Sequence, residues 1–166
     1  MAEAGFCERC LSLDNKTGVR LNSDKGTAGE LLFCYEAFNR GLSPCVPWGN
    51  PACFDTVVIN KKTGVPLVVQ VRTATMKNSN KGGSGVRWQV KATCNNDTLH
   101  IRETNVKVLV VYCAVPKVWY CIPVKNISAK TVNLYPHNKI SVGSYEKFKD
   151  NWGCFGFSWD DPVLLS

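Results

Sequence analysis

Four side chains in this sequence could do hydrolytic chemistry together: Glu30, Asp55, Gln70 and Arg72. Gln70 and Arg72 stand two apart in the β-branched run VVQVRTA, so a strand puts both on one face. Asp55 opens the apolar run FDTVVIN, fifteen residues before Gln70. A charge in an apolar strand is costly unless it is paired or binds a metal. Two carboxylates and an amide oxygen, with the backbone carbonyl of Val71, form an oxygen-rich set. That set suits Mg²⁺ or Mn²⁺; Mg²⁺ takes few protein ligands and keeps several waters. Such a cation polarises a phosphodiester and helps generate the attacking hydroxide. Arg72 is then suited to hold the scissile phosphate and offset the developing negative charge. The plainer alternative is an Asp55–Arg72 salt bridge that orders a strand edge.

Several elements must position these groups. DKGTAGELLFCYEAFNRG predicts a helix, with Ala28, Leu31, Leu32, Tyr35 and Phe38 as its buried stripe and Gly41 ending it. Glu30 lies beside that stripe. CFDTVVIN, the turn Lys61-Lys62-Thr63-Gly64 and VPLVVQVRTA predict a β-hairpin that sets Asp55 close to Gln70. VRWQVKAT alternates as a further strand, and 96–105 is a short helix candidate. VKVLVVYCAV and KVWYCIPV form a second hairpin around Pro116-Lys117. Residues 131–135 add a short strand, and GSYEKFKDNWG predicts a closing helix. Residues 1–23, with turn signals at Lys16-Thr-Gly18 and Asn22-Ser-Asp24, are expected to form an arm, and residues 24–166 one domain. This order predicts a mixed α/β (α+β) domain, with one central mixed β-sheet flanked by helices.

The 166 residues suffice for one self-sufficient core. The longest apolar run, Val106 to Val115, is interrupted by Lys107 and is too short to span a bilayer. The start has no apolar stretch of signal-peptide length, so an intracellular protein with free thiols is expected. Most of the nine cysteines lie in apolar segments, as small buried hydrophobes do. Cys7 and Cys10 have the spacing of a zinc half-site, but the second half is missing. Net charge is +7, which favours a polyanionic partner, most commonly nucleic acid.

The segment GTAGELLFCYEAFNRG…CVPWGNPACFDTVVINKKTGVPLVVQVRTA resembles the PD-(D/E)XK nuclease superfamily. It is most similar to the homing-endonuclease-like and resolvase-like branch, whose motif reads Q-x-K-T-A. The helix Glu matches Glu30, the metal-binding Asp matches Asp55 and the Gln matches Gln70. Thr73 and Ala74 match the residues that close the motif, and the later hairpin is similar too. The resemblance spans roughly residues 24–135. It implies a restriction-endonuclease-like core and Mg²⁺-dependent hydrolysis of DNA phosphodiesters. One position departs: the family's Lys is Arg72 here, always charged and unable to act as a base. Lys91, on the next strand, is the candidate to supply a lysine instead.

The remaining expectations are smaller. The loop MKNSNKGGSGVR offers Lys77, Lys81 and Arg87 to DNA phosphates, or is simply solvated. Trp48 is expected in a packed turn rather than over the site. His100 and His137 stand alone and are expected to be structural. DNWGCFGFSWDDP is aromatic and is expected to pack or to make an oligomer contact. Double-strand cutting with one site per chain would require at least a dimer, so a homo-oligomer is expected.

Overall fold

The computed structural model describes residues 21–49, 53–77, 86–94, 98–137 and 145–156. Helix α1 (Leu21–Asn39) leads into β1 (Leu42–Cys45), β2 (Thr56–Asn60) and β3 (Pro66–Thr73). The chain continues through β4 (Thr75–Lys77), β5 (Arg87–Lys91), β6 (Thr93–Cys94) and β7 (Leu99–His100). It closes with β8 (Val108–Cys113), β9 (Val118–Pro123) and β10 (Thr131–Leu134). The central sheet has the order β1-β2-β3-β8-β9. β3 and β8 pair in parallel and every other pair in that sheet is antiparallel, so the sheet is mixed. A smaller sheet, β10-β5-β4, lies over one face.

Both faces of the central sheet are covered, which explains the unbroken apolar character of β8. On one face α1 packs with Phe33 and Ala37 against Val69, Val71, Trp119 and Trp152. On the other, Trp88 and Val90 of β5 pack over Leu109, Val111, Tyr120 and Ile122. Period two then separates β3 cleanly. Val69 and Val71 face the helix; Gln70 and Arg72 lie on the opposite face of the strand, where Gln70 meets Cys94 of β6.

The first hairpin forms as the sequence predicts. Gly64 (φ 70°) supplies the positive φ that its turn requires, and its N–H donates to the Asn60 carbonyl at 2.8 Å. The register pairs Thr56 with Val69, and the Asp55 N–H donates to the Val69 carbonyl at 3.0 Å. The second hairpin and the strand near residue 131 form as well.

Four local expectations fail. The helix buries Gly29, Phe33 and Ala37, while Ala28, Leu31, Tyr35 and Phe38 of the expected stripe are exposed and Leu32 is half-buried. α1 is apolar almost all round, so spacing alone does not select a face. Close approach to the sheet does: a Cβ on Gly29 would fall on Thr73 Oγ1, which donates to the Lys25 carbonyl at 3.1 Å. The expected closing helix is two 3₁₀ turns, Glu146–Phe148 and Trp152–Phe155. Asp150 (φ 49°) interrupts between them, and Asn151 caps the second through the Gly153 N–H. The helix expected over 96–105 is strand β7 followed by a single 3₁₀ turn, Ile101–Glu103. The backbone at Asn22 to Asp24, expected as a turn, is helical.

Candidate active site

α1, the end of the β1–β2 connection and the middle of β3, the central strand of the five, meet at one place. Asp55 sits there because the hairpin register carries it opposite Gln70. Its Oδ2 accepts from the Val71 N–H at 2.6 Å, which fixes the carboxylate across the strand end. Arg72 Nη1 lies 3.9 Å from the same oxygen, a loose ion pair with side chains 34% and 18% exposed. At that distance and exposure the pair adds little stability, so ordering a strand edge is a weak account of it.

Glu30 reaches the same place from the helix. A cavity of about 160 Å³ is lined by Thr27, Glu30, Cys34, Val46, Asp55 and Val71, among others. Burial pushes the Glu30 carboxyl above the usual range, the negative charge of Asp55 pushes it further, and Arg72 opposes both. Burial likewise raises Asp55, against the Val71 N–H and the Arg72 guanidinium. Two carboxylates thus line one cavity, and the nearby Arg72 guanidinium does not fully compensate them. A larger, more open cavity of about 350 Å³ lies beside Cys53 and Phe54 and excludes Asp55, Glu30 and Arg72.

Gln70 is 3% exposed, and its Oε1 accepts from the Cys94 thiol at 3.4 Å. Cys94 is also buried, and burial followed by contact with the Cys53 thiol pushes it up to about 11, so it stays protonated and donates. The sequence marked Cys94 only as a small buried hydrophobe. Its period-two neighbour Ala92 is indeed plain core, so no local signal distinguishes the cysteine that meets Gln70.

Glu30, Asp55 and Arg72 therefore converge, with the Val71 main chain tied to Asp55 and the Gln70 amide just behind, turned to Cys94. Lys91 does not join them. It is exposed, and on β5 it alternates with Trp88 and Val90, which face the core, so it lies on the outer surface with Arg87 and Gln89. Lys77 and Arg87 sit directly across from each other on β4 and β5. Lys81 and the Cys7/Cys10 pair lie outside the described residues. Trp48, expected in a packed turn, is fully exposed. His100 caps the 3₁₀ turn by accepting from the Arg102 N–H at 3.1 Å, and the His137 ring lies 6.4 Å from that of Trp88.

The donor set can be tested for a cation. Among the described residues no three His, Cys, Asp or Glu side chains cluster to hold a metal. That disfavours zinc, which prefers three or four such ligands. It fits Mg²⁺, which binds through one or two carboxylates and retains waters. Glu30 and Asp55 would supply those carboxylates.

No helix among the described residues is long and apolar enough to cross a membrane. No curated protein matches this chain. Its fold is similar to that of a bacterial homing endonuclease, with TM-score 0.62 and 17% identity over 78% of this chain and 89% of that one. A Holliday junction resolvase from the archaeal hyperthermophile Archaeoglobus fulgidus is similar at TM-score 0.42 and 18% identity, over 67% of this chain and 84% of that one. The family model described as PD-(D/E)XK endonuclease matches residues 22–147, from α1 through both hairpins and the place where Asp55 meets Val71, and the chain belongs to the PD-(D/E)XK endonuclease family.

Proposed function

We propose that this protein is a metal-dependent endodeoxyribonuclease that hydrolyses DNA phosphodiesters at the Glu30–Asp55–Arg72 site. One observation carries the reading. Burial lifts both carboxyls, and the charge of Asp55 lifts Glu30 further, at a cavity with room for an ion and waters, which is the electrostatic condition a divalent cation relieves. Asp55 and Glu30 hold Mg²⁺ or Mn²⁺, with Gln70 and the Val71 carbonyl as further oxygens. The cation supplies Lewis-acid polarisation of the phosphodiester. Arg72 binds a non-bridging oxygen of the scissile phosphate and offsets charge as the phosphorus becomes five-coordinate. Arginine accepts no proton at neutral pH. Glu30, held above its ordinary range, is the group suited to take the proton of the attacking water. The Lys77–Arg87 pair, with Lys81 and Lys91, supplies phosphate contacts along the DNA.

Arg72 also favours a second reading, a DNA-binding module that keeps the fold without the chemistry. Supercoiled and branched DNA incubated with Mg²⁺ or Mn²⁺ separates the two. Cleavage that a chelator abolishes is expected. Salt-sensitive binding without cleavage under any divalent metal would overturn the nuclease reading. Arg72→Lys then sorts the outcome: lost activity marks an arginine-adapted site, gained activity a decayed one.

Gln70 gives a separate expectation. The Cys94 thiol orients this amide by donating to its Oε1, and losing the outer partners of a metal ligand costs about 10–100-fold in metal affinity. Cys94→Ala should weaken Mn²⁺ binding about tenfold by titration calorimetry, with the melting midpoint corrected for. Cys94→Ser, which keeps a donor, should restore most of it. Equal affinity in all three proteins would remove Gln70 from the metal set.

A further inference from the structure

The small sheet turns outward a face that the candidate site does not use. On β5 and β10, Trp88, Val90, Val132 and Leu134 point into the core, so Arg87, Gln89, Lys91 and Asn133 lie on the other side. The register draws that side into rows across the strands. Thr75, Gln89 and Asn133 stand abreast, one from each strand. Lys77 stands beside Arg87 in the row to one side, and Lys91 beside Thr131 in the row to the other. No Asp or Glu occurs in β4, β5 or β10. An uncharged polar row thus lies between two cationic ends of an acid-free face.

We propose that this face enters the major groove of B-form DNA, and that Gln89 and Asn133 together read an adenine there. Gln89 Nε2 donates to Asn133 Oδ1 at 3.0 Å. That bond leaves the Gln89 amide oxygen and the Asn133 amide nitrogen to meet a ligand. Turning both amides round still leaves one acceptor and one donor. The groove edge of adenine is the complement, because its N7 accepts and its N6 amino group donates. Guanine offers two acceptors in that place, so one of them meets the amide oxygen and is rejected. The bond between the two amides also fixes both side chains before DNA arrives, which lowers the ordering cost of binding.

Spacing and charge identify the partner. Arg87 and Lys91 stand four residues apart on β5, about 14 Å at roughly 3.4 Å per residue. The major groove is about 12 Å wide. Cations at the two ends therefore reach the two phosphate backbones when the polar row lies over the base edges. Contacts that position and contacts that specify are separated in just this way on DNA-reading surfaces. Double-stranded RNA does not fit, since its A-form major groove is too deep and narrow for side chains to read. The inference rests on the DNA-directed reading of the site and adds which groove and which base this face takes. It requires neither a metal nor bond breaking, so it can be tested apart from them.

Selection of bound duplexes from a random pool by the full chain, with EDTA present to prevent cleavage, gives the test. The wild type is expected to enrich a sequence containing an adenine whose replacement by guanine weakens binding about tenfold or more. Gln89→Ala should erase that difference, and so should Asn133→Ala. Lys77→Ala should instead weaken binding to every sequence alike and lower the salt slope by about one. Asn133→Asp supplies a second acceptor, which suits the cytosine amino group, and should move the preference from adenine to cytosine. Misfolding cannot produce a new preference, so this variant keeps the test decisive should the alanine variants unfold. Binding without sequence preference, or a preference that the amide variants share with the wild type, would overturn the proposal and leave the nuclease reading to its own cleavage test. Absence of duplex binding at low salt would overturn it as well.

Discussion

Asp55→Ala should cost about 10³-fold or more in metal-dependent DNA cleavage, since a lost cation ligand forfeits several kcal/mol of transition-state stabilisation. Single-turnover cleavage at saturating metal is the measurement, and unchanged cleavage would remove Asp55 from the chemistry. Alanine also leaves the Val71 N–H without its acceptor at 2.6 Å, a loss of about 1–3 kcal/mol in stability. Asp55→Asn avoids that, because its amide oxygen still accepts, so it isolates the charge.

The charge has its own signature against pH. Burial, the largest influence, lifts the Asp55 and Glu30 carboxyls above their usual values in the folded protein. The folded state therefore binds protons that the unfolded chain has already released. The resulting stability is complete below the ordinary carboxylate range and is lost as pH rises through the raised folded values. The metal-free wild type should thus lose stability on that rise, and Asp55→Asn should flatten the loss. Metal affinity should climb over the same window, because the ligands bind deprotonated. A metal-free Asp55→Asn protein that melts well below wild type at neutral pH would contradict this.

Phe33→Ala should be the most destabilising single change on the helix, at about 3–5 kcal/mol. Phe33 is fully buried and stacks on Trp152 at 5.9 Å and 6°, with Trp119 at 6.1 Å and Phe155 at 6.2 Å. This cluster clamps α1 to the central sheet and the C-terminal turns, and Glu30 rides one turn ahead of it. In a domain of this size each kcal/mol moves the melting midpoint by about 2–4 °C, so a fall on the order of 10 °C is expected. Urea titration followed by tryptophan fluorescence reads it directly. A loss under 1 kcal/mol would mean that the helix is held elsewhere. The control is Tyr35→Ala, on the exposed face of the same helix, which should change monomer stability by under about 0.5 kcal/mol.

The sequence carries the site more fully than it carries the packing around it. Asp55 and Gln70 could be paired because strand parity and a four-residue turn leave a single register with the apolar faces inward. Glu30 could be placed near them because a helix must cover that face. The orientation of α1 was hidden, because nine of its residues are apolar and the deciding ones, Gly29 and Ala37, are chosen for smallness rather than hydrophobicity. The Cys94 contact was hidden for a different reason. It joins residues 24 apart across two sheets, and nothing in a two-residue strand signals a partner so remote. The C-terminal turns were misread because YEKFKDNW has helical spacing, whereas Asp150 at positive φ breaks it to let its N–H donate to the Trp119 carbonyl at 2.7 Å.

The parallel pairing of β3 with β8 has a consequence for how such a protein can change. Val69 lies beside Val108, and the chain between the two strands carries β4 to β7 as one excursion. Doubling the length of such an excursion costs only about 0.6 kcal/mol in closure entropy. Its inner face is committed, because Trp88 and Val90 complete the core. Its outer face carries Lys77 and Arg87, outside the core. Glu30, Asp55, Gln70 and Arg72 all precede the excursion. A lineage can therefore redraw what the excursion touches, by insertion or substitution, while inheriting the reactive site intact. If the proposed nuclease reading holds, target choice and bond breaking are encoded in separate stretches of one short chain.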